Sequence, residues 1–325
     1  MSTLTEWLRL EEGTPPDVAV SIAARLVSAA ALEVRGGRPV VTACAAEPLP
    51  DGVIVPGLSG ENVRDSATAL GTLGRVLDRV GKPGRVGLVI PDQAARVTQV
   101  VLQQPPVGAA DLEQVLRWQV KKSVPFAIEE AQVSYARGAV TSQGHEFLVT
   151  VALRSVVEAY EGLCVQLGAH PGLVDLSTTS VANAVMAGGR APAGDWLLVH
   201  VSSDAVALAV LRGSHAAFVR SQRWDGASLG DLVHQTAMFY EDRLAGNGFE
   251  RVVLSGAVSA GLSADVEQVC REIGAHVGGA VEVVDVRDAV GLADRITPSA
   301  SLLDTLPPLV GLLLARHVGR VEVGV

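Results

Sequence analysis

Lysine is nearly absent from this sequence: Lys82, Lys121 and Lys122 are the only three in 325 residues, and the net charge is −9. With no basic block to neutralise phosphates, nucleic acid is excluded as the main partner. Aromatic residues are scarce as well, at 4%. The 48% of apolar residues is therefore mostly Ala, Val and Leu, which suits a packed α/β interior and not a disordered chain. Cysteines are few and scattered. Cys44 falls in an extended run, and Cys164 and Cys270 on apolar helix stripes, so free, buried thiols of a reducing cytoplasm are expected rather than disulfides or metal ligands. No secretory leader is expected, since MSTLTEWLRLEEG has neither a basic start nor an apolar core. Nor is a membrane span: the run LLDTLPPLVGLLLARH is broken by Pro307-Pro308 and is too short for a bilayer. The expected protein is soluble and meets a membrane only through something else.

Catalytic signatures are missing too. Gly81-Lys82-Pro83 puts proline where a phosphate loop needs Ser or Thr, and no GxGxxG follows a strand. Gly246-Asn247-Gly248 reads as a helix stop. No histidine is spaced from another His, Cys or carboxylate as a metal-ligand pair, and His200 reads as a satisfied residue of the core or cleft edge. Ser259 lacks the flanking glycine of a nucleophile elbow.

What is present is a duplication. Residues 196 to 223 read WLLVHV, a turn Ser202-Ser203-Asp204, AVALAVL, a turn Arg212-Gly213-Ser214, then AAFVRSQ. Residues 18–22, 26–34 and 39–45 repeat this pattern, broken at Ala23-Ala24-Arg25 and at Gly36-Gly37. Two such meanders, each opening half of the chain, predict two similar lobes facing a cleft. The divisions expected are an arm over 1–15, a first lobe over 16–190 and a second over 191–325, with a hinge-like linker over 188–194. A helix carries Val63, Ala67, Leu70 and Leu77, and strands follow at 85–90 and 96–103. Asp111 and Gln114 resemble a capping box ahead of the stripe Leu112, Val115, Leu116 and Val120. With strands 131–139 and 146–153 and a helix over 155–167, these make an α-β-β-α unit, 99–167, inserted in the first lobe. The second lobe continues with a helix over 228–245 stopped by Gly246, a strand 251–254, a helix bearing Val269 and Ile273, a strand 281–286 and a last helix 309–316.

The paired meanders resemble the actin-like ATPase fold, a duplicated ribonuclease H-like α/β architecture. The inserted stretch LEQVLRWQVKKSVPFAIEEAQVSYA, with Pro125-Phe126, Glu129-Glu130 and Tyr135, resembles the signature of the PilM family of type IV pilus assembly. LGAHPGLVDLSTTSVANAV, Phe218-Val219-Arg220, LSGAVSAGL and LVGLLLARH continue the likeness in order, over nearly the whole chain from Asp17. The resemblance implies ATP and Mg²⁺ clasped between two turns. It also implies a partner, the short cytoplasmic N-terminal peptide of a PilN-like inner-membrane protein, lying in a groove beside the inserted unit. Other pilus platform proteins, and oligomer formation, belong to the same picture.

This chain departs from that pattern. Ser21 and Ala23 stand where the family's first turn has Asp and then Gly, and His200 and Ser202 where the second does. The threonine that follows falls at Ala205 or Val206, and the double glycine of the adenosine turn keeps only Gly256, before Ala257. The carboxylates that organise Mg²⁺ are lost, and Cβ atoms stand where backbone must approach phosphate. The degenerate nucleotide turns are thus Ser21, Ala23 and Arg25 with Ser202, Ser203, Asp204 and Gly256, while Asp175 is a further acid near the cleft. No required cofactor, no metal and no catalytic residue are expected, and the surviving role is that of a scaffold. Its partner contacts are expected in a groove near 111–135, at Arg117, Lys121, Pro125 and Phe126, with Lys122 beside them. Two other readings are an ATPase that hydrolyses weakly through altered ligands, and the cytoplasmic part of a type II secretion L-like protein.

Overall fold

The computed structural model describes residues 16–189, 194–224, 226, 228–262, 266–294 and 296–315. The expected arm 1–15, most of the linker and Arg316 lie outside the described residues. The first meander is β1 (Val18–Ile22), β2 (Leu26–Arg35) and β3 (Arg38–Pro48), followed by α1 (Ser66–Arg79) and β4 (Arg85–Ile90). Then come β5 (Ala95–Leu102), α2 (Ala109–Val120), β6 (Ala131–Thr141), β7 (Gly144–Leu153), α3 (Arg154–Gln166), β8 (His170–Leu176) and α4 (Ser177–Ala187). The second meander is β9 (Asp195–Val201), β10 (Ala205–Arg212) and β11 (His215–Arg223). It leads to α5 (Leu229–Leu244), β12 (Arg251–Ser255), α6 (Val266–Val277), β13 (Val281–Val283), β14 (Gly291–Leu292), α7 (Ala300–Asp304) and α8 (Leu306–Leu314).

The strand orders β14-β3-β2-β1-β4-β8 and β11-β10-β9-β12-β13 show the same five-strand pattern twice. The meander turns close with equivalent bonds, Ala23 N–H to Leu26 O at 2.9 Å and Ser202 N–H to Ala205 O at 2.8 Å. Both sheets are covered on both faces, so their central strands are apolar throughout. In the first, Val18, Val20 and Ile22 meet α1 and α3, while Ala19 meets α8. In the second, Leu197 and Val199 meet α5 and α6, while Trp196 and Leu198 meet α4. α4 and α8 pack together between the sheets. Their approach requires Gly311, because a Cβ there falls 1.7 Å from the Ser180 carbonyl oxygen.

Several expected boundaries move. The division at 190/191 does not hold to the end of the chain. β14 pairs with β3 of the first sheet, and Leu306, Leu309 and Val310 of α8 share a core with Ala19, Ala30 and Val41. The inserted unit is β-α-β-β over 95–153. β5 joins its sheet, in the order β5-β7-β6, whereas α3 sends Val156, Val157, Tyr160 and Leu163 into the first-lobe core. Alternation along β7 explains the unit's position. Phe147, Val149 and Val151 face α2, and Leu148 joins Ala136 against Val219 of the second lobe.

The proposed capping box is not formed. α2 starts behind Gly108 without a side-chain cap, and Asp111 sits in its first turn, where the helix dipole favours a carboxylate. α5 is capped by Ser228, whose hydroxyl accepts from Asp231 N–H, and its left-handed terminal residue is Ala245, one position before the Gly246 expected to stop it. The strand expected over 281–286 shortens to β13. All three cysteines are free, yet only Cys164 is buried, Cys44 and Cys270 being half-buried.

Candidate functional site

The two meander turns open onto a shared cavity of about 310 Å³, lined by Ala24, Arg25, Asp51, Asp204, Arg223 and Trp224 among others. Arg25 pairs with Asp51 at 3.1 Å, both side chains well exposed. Across the cleft, Gln93 Nε2 donates to Asp204 Oδ2 at 3.5 Å, and Ser202 Oγ donates to the other Asp204 oxygen at 3.3 Å. Burial raises the Asp204 carboxyl, while the Ser202 bond and the charges of Arg223 and Arg25 lower it. Ser203 is half-buried in the same turn.

Below the turns, Ser21 and His200 take equivalent places. Ser21 lies between Ser28 and Val89, and His200 between Ala207 and Ser255. The expectation that His200 is satisfied is corrected. It is 8% exposed, and its Nδ1 has no hydrogen-bond partner among the described residues. Burial lowers its pKa and favours the neutral imidazole, although the carboxylates of Asp92 and Asp304 pull the other way.

Three residues of the cleft escape sequence reading: Asp92, Gln93 and Asp304. Asp92 lies two residues past the end of β4 and holds the head of α4, accepting from Thr178 N–H at 3.1 Å and from Thr178 Oγ1 at 2.8 Å. Its place just after a strand is the one signal available. Asp304 accepts from Gly256 N–H at 3.2 Å and from Ser259 N–H at 2.7 Å. Gly256 itself is obligatory, with φ of +81° and a virtual Cβ 2.0 Å from Val201 O. Asp175 lies beneath, its carboxyl pushed up to about 7 by burial, against bonds from Thr179, Leu176 N–H and Ser180 that lower it. The main-chain donors at the head of α4 and in the turn after β12 are thus already held by carboxylates of this chain. Among the described residues, no group of three or more His, Cys, Asp or Glu is placed to hold a metal.

The four expected partner contacts line neither the cleft cavity nor the larger groove found among the described residues. Arg117 bonds Glu113 at 2.9 Å and reaches the carbonyls of Ile128 and Ala131, so it fastens α2 to the start of β6. Lys121 lies over the Trp118 ring at 5.2 Å. Pro125 is exposed, and Phe126 packs on the core of the inserted unit. A groove of about 660 Å³ lies elsewhere, between residues 95–99 of β5 and 218–223 of β11, with Pro56, Leu58 and Phe239 in its wall. None of the four lines it.

Twin sheets of one strand order, with paired helices between them and a cleft at the meander turns, define an actin-like ATPase fold. The match to the solved PilM–PilN type IV pilus biogenesis complex has a TM-score of 0.76 at 16% identity, over 95% of this chain and 99% of that one. The ethanolamine utilization protein EutJ from Carboxydothermus hydrogenoformans matches with a TM-score of 0.50 at 13% identity, over 92% and 89%. For the cytoplasmic domain of EpsL, an inner membrane component of the type II secretion system of Vibrio cholerae, the values are 0.48 and 11%, over 92% of each chain. No curated sequence matches. The family model of the type IV pilus assembly protein PilM matches residues 19–243, and the chain belongs to that family. No helix among the described residues is long and apolar enough to cross a membrane.

Proposed function

We propose that this chain is a non-hydrolysing scaffold of a type IV pilus machine, holding the cytoplasmic N-terminal peptide of a PilN-like inner-membrane protein in the groove between β5 and β11. One observation carries this reading. Both walls of the groove are end strands, β5 of the inserted sheet and β11 of the second. Each leaves a row of main-chain donors and acceptors unused by its own sheet, and an extended peptide satisfies such a row by adding a strand. Family membership supplies the machine, and a partner of this kind would tether the chain to the cytoplasmic side of the inner membrane.

The nucleotide cleft supports the scaffold half of the reading. Ser21 and His200 replace the carboxylates that would organise Mg²⁺, Ala23 and Ser202 replace turn glycines, and Asp304 holds Gly256 and Ser259 N–H. These residues do not fit a magnesium nucleotide, so no step is routed through one. Co-purification with a PilN-like single-span inner-membrane protein tests the docking. Loss of its N-terminal peptide should abolish capture, and capture without that peptide would sink the assignment. Calorimetric titration with ATP and Mg²⁺ tests the other half. No saturable binding is expected, and micromolar binding would restore the ATPase reading.

A further inference from the structure

We infer that His234 and His276 hold one tetrahedral divalent ion of the zinc class between α5 and α6, at a site separate from both the cleft and the groove. The two residues lie on helices that pack against each other, and both are exposed. Their ring centroids are 5.2 Å apart, with the planes tilted by 46°. With each nitrogen about 2.0–2.1 Å from a zinc ion and the ring centre about 1.1 Å beyond it, two imidazoles on one tetrahedral ion have centroids about 5.2 Å apart. At the right angle of a square-planar or octahedral ion the same rings stand only about 4.5 Å apart. The spacing therefore selects the tetrahedral case. The tilt is no obstacle, because each ring can turn about its metal–nitrogen bond.

The pair is built around a notch in α5. Gly230, buried, stands one turn before His234. A Cβ at Gly230 would fall 2.9 Å from His276 Nε2 and 2.8 Å from His276 Cδ2, so that edge of the ring is turned toward the bare backbone of α5. Side chains of a helix lean toward its N-terminus, and His234 thus reaches back over the same turn. A nitrogen edge of one ring and the whole of the other converge above Gly230. Imidazole is the commonest protein ligand for zinc-class ions, whereas magnesium and calcium take oxygen. No third His, Cys, Asp or Glu joins the pair among the described residues, which leaves two of the four positions to water. The ion acts as a clasp from α6 to α5, the helix that also carries Phe239, and stabilises the native chain by mass action.

The test uses the full chain, stripped of metal with a chelator, and zinc chloride, with magnesium chloride as the control. Calorimetry should show one zinc per chain bound at this pair, and zinc but not magnesium should raise the urea midpoint. His234→Gln and His276→Gln should each weaken that binding at least about tenfold and cancel the midpoint shift. The double variant should do no more than either single one, since chelation at two points is lost with the first ligand. Both positions are exposed, and a circular dichroism melt without zinc checks that the fold is kept. Gly230→Ala leaves both histidines in place but fills the notch, and should weaken zinc by a similar factor. His215→Gln, at an exposed histidine outside the pair, should leave binding unchanged. Independent capture by single histidines would make each variant remove only its own share of the bound zinc. That result, zinc binding unchanged in the two single variants, or no binding by the parent overturns the inference.

Discussion

The cleft and the groove of this molecule are built from the same materials and treat them in opposite ways. In the cleft, carboxylates are spent inward: Asp92 on Thr178, Asp175 on Thr179 and Ser180, Asp304 on Gly256 and Ser259. In the groove, Arg96, Arg220 and Ser221 have no such bonds among the described residues, and both walls are end strands of their sheets. Polar groups satisfied within the chain give rigidity, whereas groups left open give recognition. On the docking reading proposed above, the working surface is the groove and not the cleft between the meander turns.

The contrast is broken most severely at the helix pair that joins the two sheets. Gly311→Val drives side-chain atoms into the Ser180 carbonyl and should cost about 3 kcal/mol or more, read by urea denaturation. It should weaken peptide binding only as far as it unfolds the chain. Asp304→Ala removes the acceptor for two N–H groups, one of them buried, and should cost about 1–3 kcal/mol. If the cleft and groove are independent, the affinity for a docked peptide stays unchanged.

Asp175→Asn separates the two regions by pH. The carboxyl rises from 3.8 unfolded to about 7 folded. Between those values the native state keeps a proton that the unfolded chain has lost. Stability therefore falls as pH rises through this window, by about 1.4 kcal/mol per pH unit, and levels off above about pH 7. The Asn variant should lack that slope in urea midpoints taken across the range. A parent chain with a flat profile would remove Asp175 from the account.

Smaller effects sharpen the groove. Phe239→Ala should change stability by less than about 1 kcal/mol at this half-open site, yet weaken peptide binding about tenfold. Trp118→Ala, at a side chain 62% exposed on the far side of the inserted unit, should stay within about 0.5 kcal/mol and leave binding alone. A binding loss at Trp118 instead would return the docking surface to the region near 111–135.

Legibility followed sequence distance. The meanders could be read because their strands and turns are neighbours in the chain, and alternation with Gly, Ser and Asp marks both. Placement of α8 could not. Every residue of Leu306–Leu314 is buried, so the helix has no polar face to say which sheet it covers, and chain order suggested the wrong one. The stripe of α3 was visible, but a stripe does not name its neighbour. The pairing of Arg117 was legible too: Glu113 stands four residues earlier, the spacing of an intrahelical ion pair. Asp304 left no trace, since its bond to Gly256 spans 48 residues.

The return of β14 and α8 to the first sheet has a consequence for biosynthesis. A ribosome makes the first meander early and the helix that covers its inner face only after the whole second sheet. The second sheet can close as soon as β13 emerges, while Ala19, Ala30 and Val41 still await Leu306, Leu309 and Val310. The lobe begun first is thus completed last, and a nascent chain stalled before residue 306 carries an open apolar face for chaperones to cover.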